Sequence, residues 1–140
     1  MVGSDNGDRR VIVAADDDED ILALVAFRLQ RAGHEVHTAR DGEQALQLIL
    51  ERAPDLAILD VRMPKMTGID VVHALRREEA TRGMPVILLT ASVQEESVKS
   101  GFDAGADEYI KKPFSPFDLV ERVESMLELG QRGPALPGRP

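Results

Sequence analysis

The residues able to do chemistry here stand where short apolar runs stop. Leu56 to Asp60, LAILD, carries a carboxylate straight into the turn-rich VRMPKMTG, and Val11 to Ala15, VIVAA, does the same for Asp16 and Asp17. A short apolar run bounded by turn signals reads as a buried strand of a parallel sheet. Each acid then sits at a carboxyl end, the edge at which open α/β sheets bind ligands. Alone, Asp60 fits a turn-starting residue as well as a functional one. The run Asp16 to Asp20 alone fits a solvated loop with favourable charge at a helix start, worth about 0.3–1 kcal/mol per site. What that account leaves over is convergence: carboxylates crowded in one cleft raise each other's pKa or bind a cation. No Cys is present and no His is placed nearby, so a hard divalent ion fits best, Mg²⁺ with Mn²⁺ as a substitute.

The same edge receives two further groups. Thr90 ends PVILLT, and Lys112 follows the short run EYIK just before Pro113. Either residue alone fits a strand end of no special role. Together they complete a balance, because Asp16, Asp17 and Asp60 sum to minus three, which a divalent ion and Lys112 cancel. A phosphoryl group on Asp60 would bring about two negative charges and three acceptor oxygens, to be met by the metal, Lys112 and the Thr90 hydroxyl.

The elements that must position these groups alternate along the chain. After the first strand, Ile21, Leu22, Val25, Leu29 and Ala32 recur at helical spacing and Gly33 ends the helix. Glu35 to Ala39 is the second strand. Asp41 caps a helix from Gly42 to Arg52 with Ala45, Leu46, Ile49 and Leu50 inward, and Pro54 precedes the third strand. Thr67 or Gly68 opens a helix with Ile69, Val72 and Leu75 on one face, and Arg76 to Glu79 read as its solvated end. Pro85 to Thr90 is the fourth strand. From Gln94 to Ala104 the pattern is weak, with Val98 and Phe102 as its stripe and Gly101 inside, which makes this helix the least stable element. Glu108 to Lys111 is the fifth strand. Ser115 caps a final helix that begins at Pro116 and turns Leu119, Val120, Val123, Met126 and Leu127 inward. Such alternation implies a doubly wound five-stranded parallel sheet in the order 2-1-3-4-5, which sets the first and third strands side by side.

Length and charge narrow the function classes. A chain of 140 residues is one domain. Residues 1–9 read as a disordered leader, 10–129 as the domain, and 130–140 as a flexible tail or the stump of a linker. A net charge of −8 opposes direct nucleic-acid binding by this segment. Absence of Cys, of a signal peptide and of any membrane-length apolar run points to the cytoplasm and away from the membrane. His34, His37 and His73 lack mutual metal spacing and read as solvated side chains.

Over Arg10 to about Leu129 the sequence resembles the receiver domain of bacterial response regulators, a flavodoxin-like (βα)₅ fold of two-component systems. ADDDED is similar to that family's acid pair, LAILDVRMPKMTG to its phosphoacceptor loop, PVILLTA to its threonine strand, and GADEYIKKPF to its tyrosine and lysine-proline block. The resemblance implies that Asp60 takes a phosphoryl group from a histidine kinase or a histidine phosphotransfer protein. It implies that Asp17 ligates Mg²⁺ directly, Asp16 chiefly through water, and the Arg62 backbone carbonyl directly. Lys112 becomes the phosphoryl clamp, Thr90 with Tyr109 the switch pair, and Lys112–Pro113 a cis peptide. The helix 4, strand 5 and helix 5 face is the implied docking surface, in a stand-alone regulator or a fragment of a longer one. A receiver catalyses only its own phosphorylation and dephosphorylation.

Arg62 and Ser92 fall where the family varies and tunes phosphoryl lifetime, and Thr67 replaces a frequent acidic residue as a helix cap of equal quality. A haloacid dehalogenase-type phosphatase also uses an Asp nucleophile and Mg²⁺, but needs a second Asp where Arg62 stands. An inert module of the same fold would have no use for all of Asp16, Asp17, Asp60, Thr90 and Lys112.

Overall fold

The computed structural model describes residues 10–91 and 95–132, the side chains of 95–98 and 130–132 excepted. Residues 1–9, read as a leader, and Ser92 lie outside the described residues. The elements are β1 (Val11–Ala15), α1 (Glu19–Arg31), β2 (Glu35–Ala39), α2 (Gly42–Arg52), β3 (Leu56–Asp60), α3 (Gly68–Arg77), β4 (Val86–Thr90), α4 (Glu95–Ala104), β5 (Glu108–Lys111) and α5 (Pro116–Arg132). All strand pairs are parallel and the sheet order is β2-β1-β3-β4-β5, as expected for the doubly wound fold. Helix α5 runs to Arg132, three residues into the stretch read as tail. Extending a formed helix costs far less than starting one, which lets it run past Gly130.

Strand side chains alternate between the two faces, and each face owns a core. On one, Val13, Ala15, Ala57, Leu59, Val86 and Leu88 pack against Ala45 and Ile49 of α2, Val71, Val72 and Leu75 of α3, and Ala104 of α4. On the other, Ile12, Ala14, Leu56, Ile58, Ile87 and Leu89 meet Leu22, Val25 and Leu29 of α1 and Leu119, Val123 and Leu127 of α5. β3 and β4 are buried along their whole length, which is why they read as unbroken apolar runs. Four βα turns are closed by a side chain that accepts from first-turn N–H groups: Asp18 for α1, Asp41 for α2, Thr67 for α3 and Ser115 for α5. At α3 this is a full capping box with Asp70, so Thr67 is the cap the sequence suggested.

Four side chains depart from the sequence reading. Leu50 is 52% exposed, because Ile49 already occupies the inward stripe and each helical step turns about 100°. Phe102 is 44% exposed, and among the described side-chain positions of α4 the buried ones are Gly101 and Ala104. Arg76 is no solvated charge: its guanidinium donates to the carbonyls of Gly105 (3.0 and 2.8 Å), Thr81 (3.1 Å) and Arg82 (3.0 Å) and to Asp107 (3.1 Å). His34 is buried, whereas His73 is exposed and His37 pairs with Glu35 at 2.7 Å. The His34 Nδ1 accepts the Arg10 N–H at 3.3 Å and its Nε2 donates to Glu124 of α5 at 2.7 Å. Glu124 stands ninety positions further along the chain, beyond the reach of local pattern reading.

Candidate functional site

Parallel register brings the strand ends to one edge. Ala15 pairs with Leu59, so Asp16 leaves β1 level with Asp60, the last residue of β3. Asp60 pairs with Leu89 and Thr90 with Lys111, which carries Thr90 and Lys112 to the same edge. Asp16 (1% exposed), Asp60 (5%) and Thr90 (4%) are buried and Asp17 is exposed. Carboxylate oxygens of Asp16, Asp17 and Asp60 all lie within 4.8 Å of one another.

Lys112 binds the two buried acids together. Its Nζ is 3.1 Å from Asp60 Oδ1 and 2.9 Å from Asp16 Oδ2. Lys112 meets the buried Asp16 Oδ2 as an ion pair off the alignment of a hydrogen bond, and among the described residues no aligned donor reaches that oxygen. Asp16 Oδ1, by contrast, accepts the Asp18 N–H at 2.9 Å. Burial first, and then the negative charge of Asp16, pushes the Asp60 pKa up to about 6, against the pull of Lys112. Burial lowers the Lys112 pKa, but the two carboxylates outweigh it and hold the ammonium above its ordinary value. Three acids and one ammonium leave two negative charges, and the buried Asp16 Oδ2 has only an unaligned ammonium contact. A hard divalent cation answers both, so the donor set fits a metal.

The loop after Asp60 is held close to the site by backbone bonds. Val61 N–H donates to Leu89 O (2.9 Å) and Gly68 N–H to Val61 O (2.9 Å), while Lys65 takes a positive φ of 73° at the bend. A Cβ at Gly68 would lie 2.4 Å from the Asp60 carbonyl oxygen, so only glycine lets α3 start this near the acid. Sequence reasoning read Gly68 as a helix opener alone. Its place eight residues after a strand-ending Asp was the available signal.

Of the other site residues, Arg62 is exposed on this loop and Lys112–Pro113 is cis. Tyr109 stands apart from the acids: it pairs with Leu88, two pairs behind Thr90 and Lys111, and is half-buried against α4. The structure therefore brings together Asp16, Asp17, Asp60, Thr90 and Lys112 and sets Tyr109 behind them. No helix among the described residues is long and apolar enough to cross a membrane.

Comparison with known proteins gives this edge a family. The profile described as "Response regulator receiver domain" matches residues 12–124. The chain is 40% identical over 118 residues to the phosphate regulon transcriptional regulatory protein PhoB of Pseudomonas aeruginosa, covering 84% of this chain and 52% of that protein. It is 41% identical over 116 residues to the alkaline phosphatase synthesis transcriptional regulatory protein PhoP of Bacillus subtilis, covering 83% and 48%. The chain thus spans about half the length of these curated relatives. Among solved structures, the Vibrio cholerae chemotaxis protein CheY4 superposes with a TM-score of 0.78 at 36% identity, covering 82% of this chain and 96% of that one. A CheY-like receiver domain protein from Methanospirillum hungatei gives a TM-score of 0.83 at 30% identity, covering 88% and 97%. The chain belongs to the response regulator receiver domain family of two-component signalling.

Proposed function

We propose that this receiver accepts a phosphoryl group on Asp60 from the phosphohistidine of a histidine kinase or phosphotransfer protein, in the cytoplasm, and relays its arrival to the α4, β5 and α5 face. The observation that carries this reading is the Lys112 bridge between the buried Asp16 and Asp60, at the edge where the Asp17 carboxylate also converges. Asp16, Asp17, Asp60 and the Arg62 carbonyl would hold Mg²⁺, or Mn²⁺ in its place. Bound there, the ion supplies neutralising charge to the phosphoryl oxygens.

A carboxylate oxygen of Asp60 attacks phosphorus, the P–N bond to the imidazole breaks, and the ring leaves with its electron pair. Lys112 holds the carboxylate in place beforehand and follows a phosphoryl oxygen afterwards. Water attack on the same phosphorus later returns Asp60, and Arg62 and Ser92 tune how soon. Both steps concern only the domain's own phosphorylation state. The face so switched controls a partner protein or the output segment of a longer regulator, by protein contact and not through direct binding of nucleic acid or membrane by this segment.

Phosphoryl labelling by acetyl phosphate with Mg²⁺, read by intact mass, tests the assignment: wild type gains one phosphoryl group and Asp60→Asn gains none. Equal labelling of both, or of neither, rejects Asp60 as acceptor. Moving a population from 1:99 to 99:1 takes about 5.5 kcal/mol, whereas one charge-assisted hydrogen bond supplies about 1.5–3 kcal/mol. Thr90 alone therefore gives part of the switch. Thr90→Ala is expected to label at Asp60 yet lose most of the labelling-dependent change in partner affinity, and an unchanged affinity ratio removes Thr90 from the relay.

A further inference from the structure

Helix α4 makes its close approach to the sheet at Gly101. A Cβ built there would lie 2.6 Å from Tyr109 Cε2 and 2.9 Å from Leu88 Cδ1, both inside van der Waals contact. Tyr109 pairs with Leu88 across the β4–β5 ladder, so its ring shares a sheet face with Leu88 and, two residues further along β4, with Thr90. Phe102 closes the slot from α4, its ring centroid 5.6 Å from that of Tyr109 at a tilt of 51°. Partial burial pushes the Tyr109 phenol pKa up. Leu88 is fully buried in an interior strand, so any side chain at position 101 must displace the ring or the helix. Glycine is also a worse helix former than alanine, so a helix with no use for the gap would be more stable without it.

We propose that Gly101 is a positioning residue of the switch: its missing side chain opens the slot that seats the Tyr109 ring beside Leu88 under α4, so that ring and helix move as one. The proposal rests on the reading of Thr90 and Tyr109 as the switch pair. It explains how an event at the sheet edge reaches α4, since a ring drawn towards Thr90 vacates the space on which the helix sits. It also accounts for the weak apolar pattern of α4. A larger residue in the middle of its buried face would close the slot.

The chain holds one Tyr and no Trp, so its ultraviolet emission reports on Tyr109 alone. Acrylamide quenching of that emission in wild type and Gly101→Ala, each with and without acetyl phosphate and Mg²⁺, reads the ring directly. Thermal melts of wild type, Gly101→Ala, Tyr109→Ala and the double variant read the competition for space. Gly101→Ala is expected to quench more readily than wild type, to lose the phosphorylation-dependent change in emission, and to label at Asp60 as fast as wild type. It is expected to lower Tm with Tyr at 109 and to leave it unchanged or raise it with Ala there. Wild-type quenching in Gly101→Ala, or the same Tm shift in both backgrounds, overturns the proposal. Should Gly101→Ala fail to fold, folding of the double variant supports the slot and failure of both overturns it. Absence of labelling in wild type would reject the phosphoacceptor reading by itself, because quenching and melts without phosphate still decide what Gly101 does.

Discussion

Removing the negative charge of Asp60 is expected to stabilise the metal-free protein. Its carboxyl pKa stands near 6 where an ordinary Asp has 3.8, through burial and the neighbouring Asp16. A folded-state pKa above the unfolded one means that the stability contribution is complete below about pH 4 and is lost as pH rises through 6. Wild type should therefore lose stability across that window in the absence of Mg²⁺, and Asp60→Asn should lose less. At pH 7 the variant is expected to be more stable by roughly 1–3 kcal/mol, since one pKa unit corresponds to about 1.4 kcal/mol. Urea melts between pH 4 and 8 with a chelator check this, and a variant less stable than wild type at pH 7 would contradict it. The same residue thus carries an electrostatic penalty in the folded state and, by the reading above, the chemistry, as functional sites often do.

Elements differ in how they are tied to the sheet. Through Arg76, α3 grips the loops that precede β4 and β5, and Asp107 in turn accepts the Val86 N–H at 2.9 Å. These loops lie at the amino ends of the strands, opposite the edge that holds Asp60. Arg76→Met keeps the stem but strips donors from the carbonyls of Gly105, Thr81 and Arg82, a loss of about 2–4 kcal/mol from bonds to a charged group and the acceptors left behind. Acetyl phosphate labelling of Asp60 is expected to survive in that variant. A matching loss of labelling in protein that circular dichroism shows to be folded would tie the two ends of the sheet together. Helix α4 is held otherwise: among its described side-chain positions Gly101 and Ala104 are buried, and its carboxyl end is anchored where Arg76 bonds the Gly105 carbonyl.

For the molecule as a whole, metal binding and folding are linked. A ligand at a hundredfold above its dissociation constant adds about 2.7 kcal/mol of stability, which for a domain of this size raises Tm on the order of 10 °C. Calorimetric melts are expected to show such a rise with Mg²⁺ in wild type and a much smaller one in Asp17→Asn, and equal rises would remove Asp17 from the metal site. Strand order and the membership of the acidic edge were legible because their signals are local: apolar runs that stop at Asp16, Asp60 and Thr90, and a Lys before Pro113. Caps at Asp41, Thr67 and Ser115 were legible for the same reason, since each bonds an N–H within three residues. What only the tertiary structure decided lies between elements distant in sequence. It buried His34 against Glu124 and turned Arg76 into a clamp on Gly105. It showed Gly68 to be the clearance over the Asp60 carbonyl, and gave Tyr109 a seat beneath Gly101 in place of a stripe through Phe102. Periodicity tells which face of a helix is apolar, but not how near that face comes to its neighbour, and close approach is set by packing.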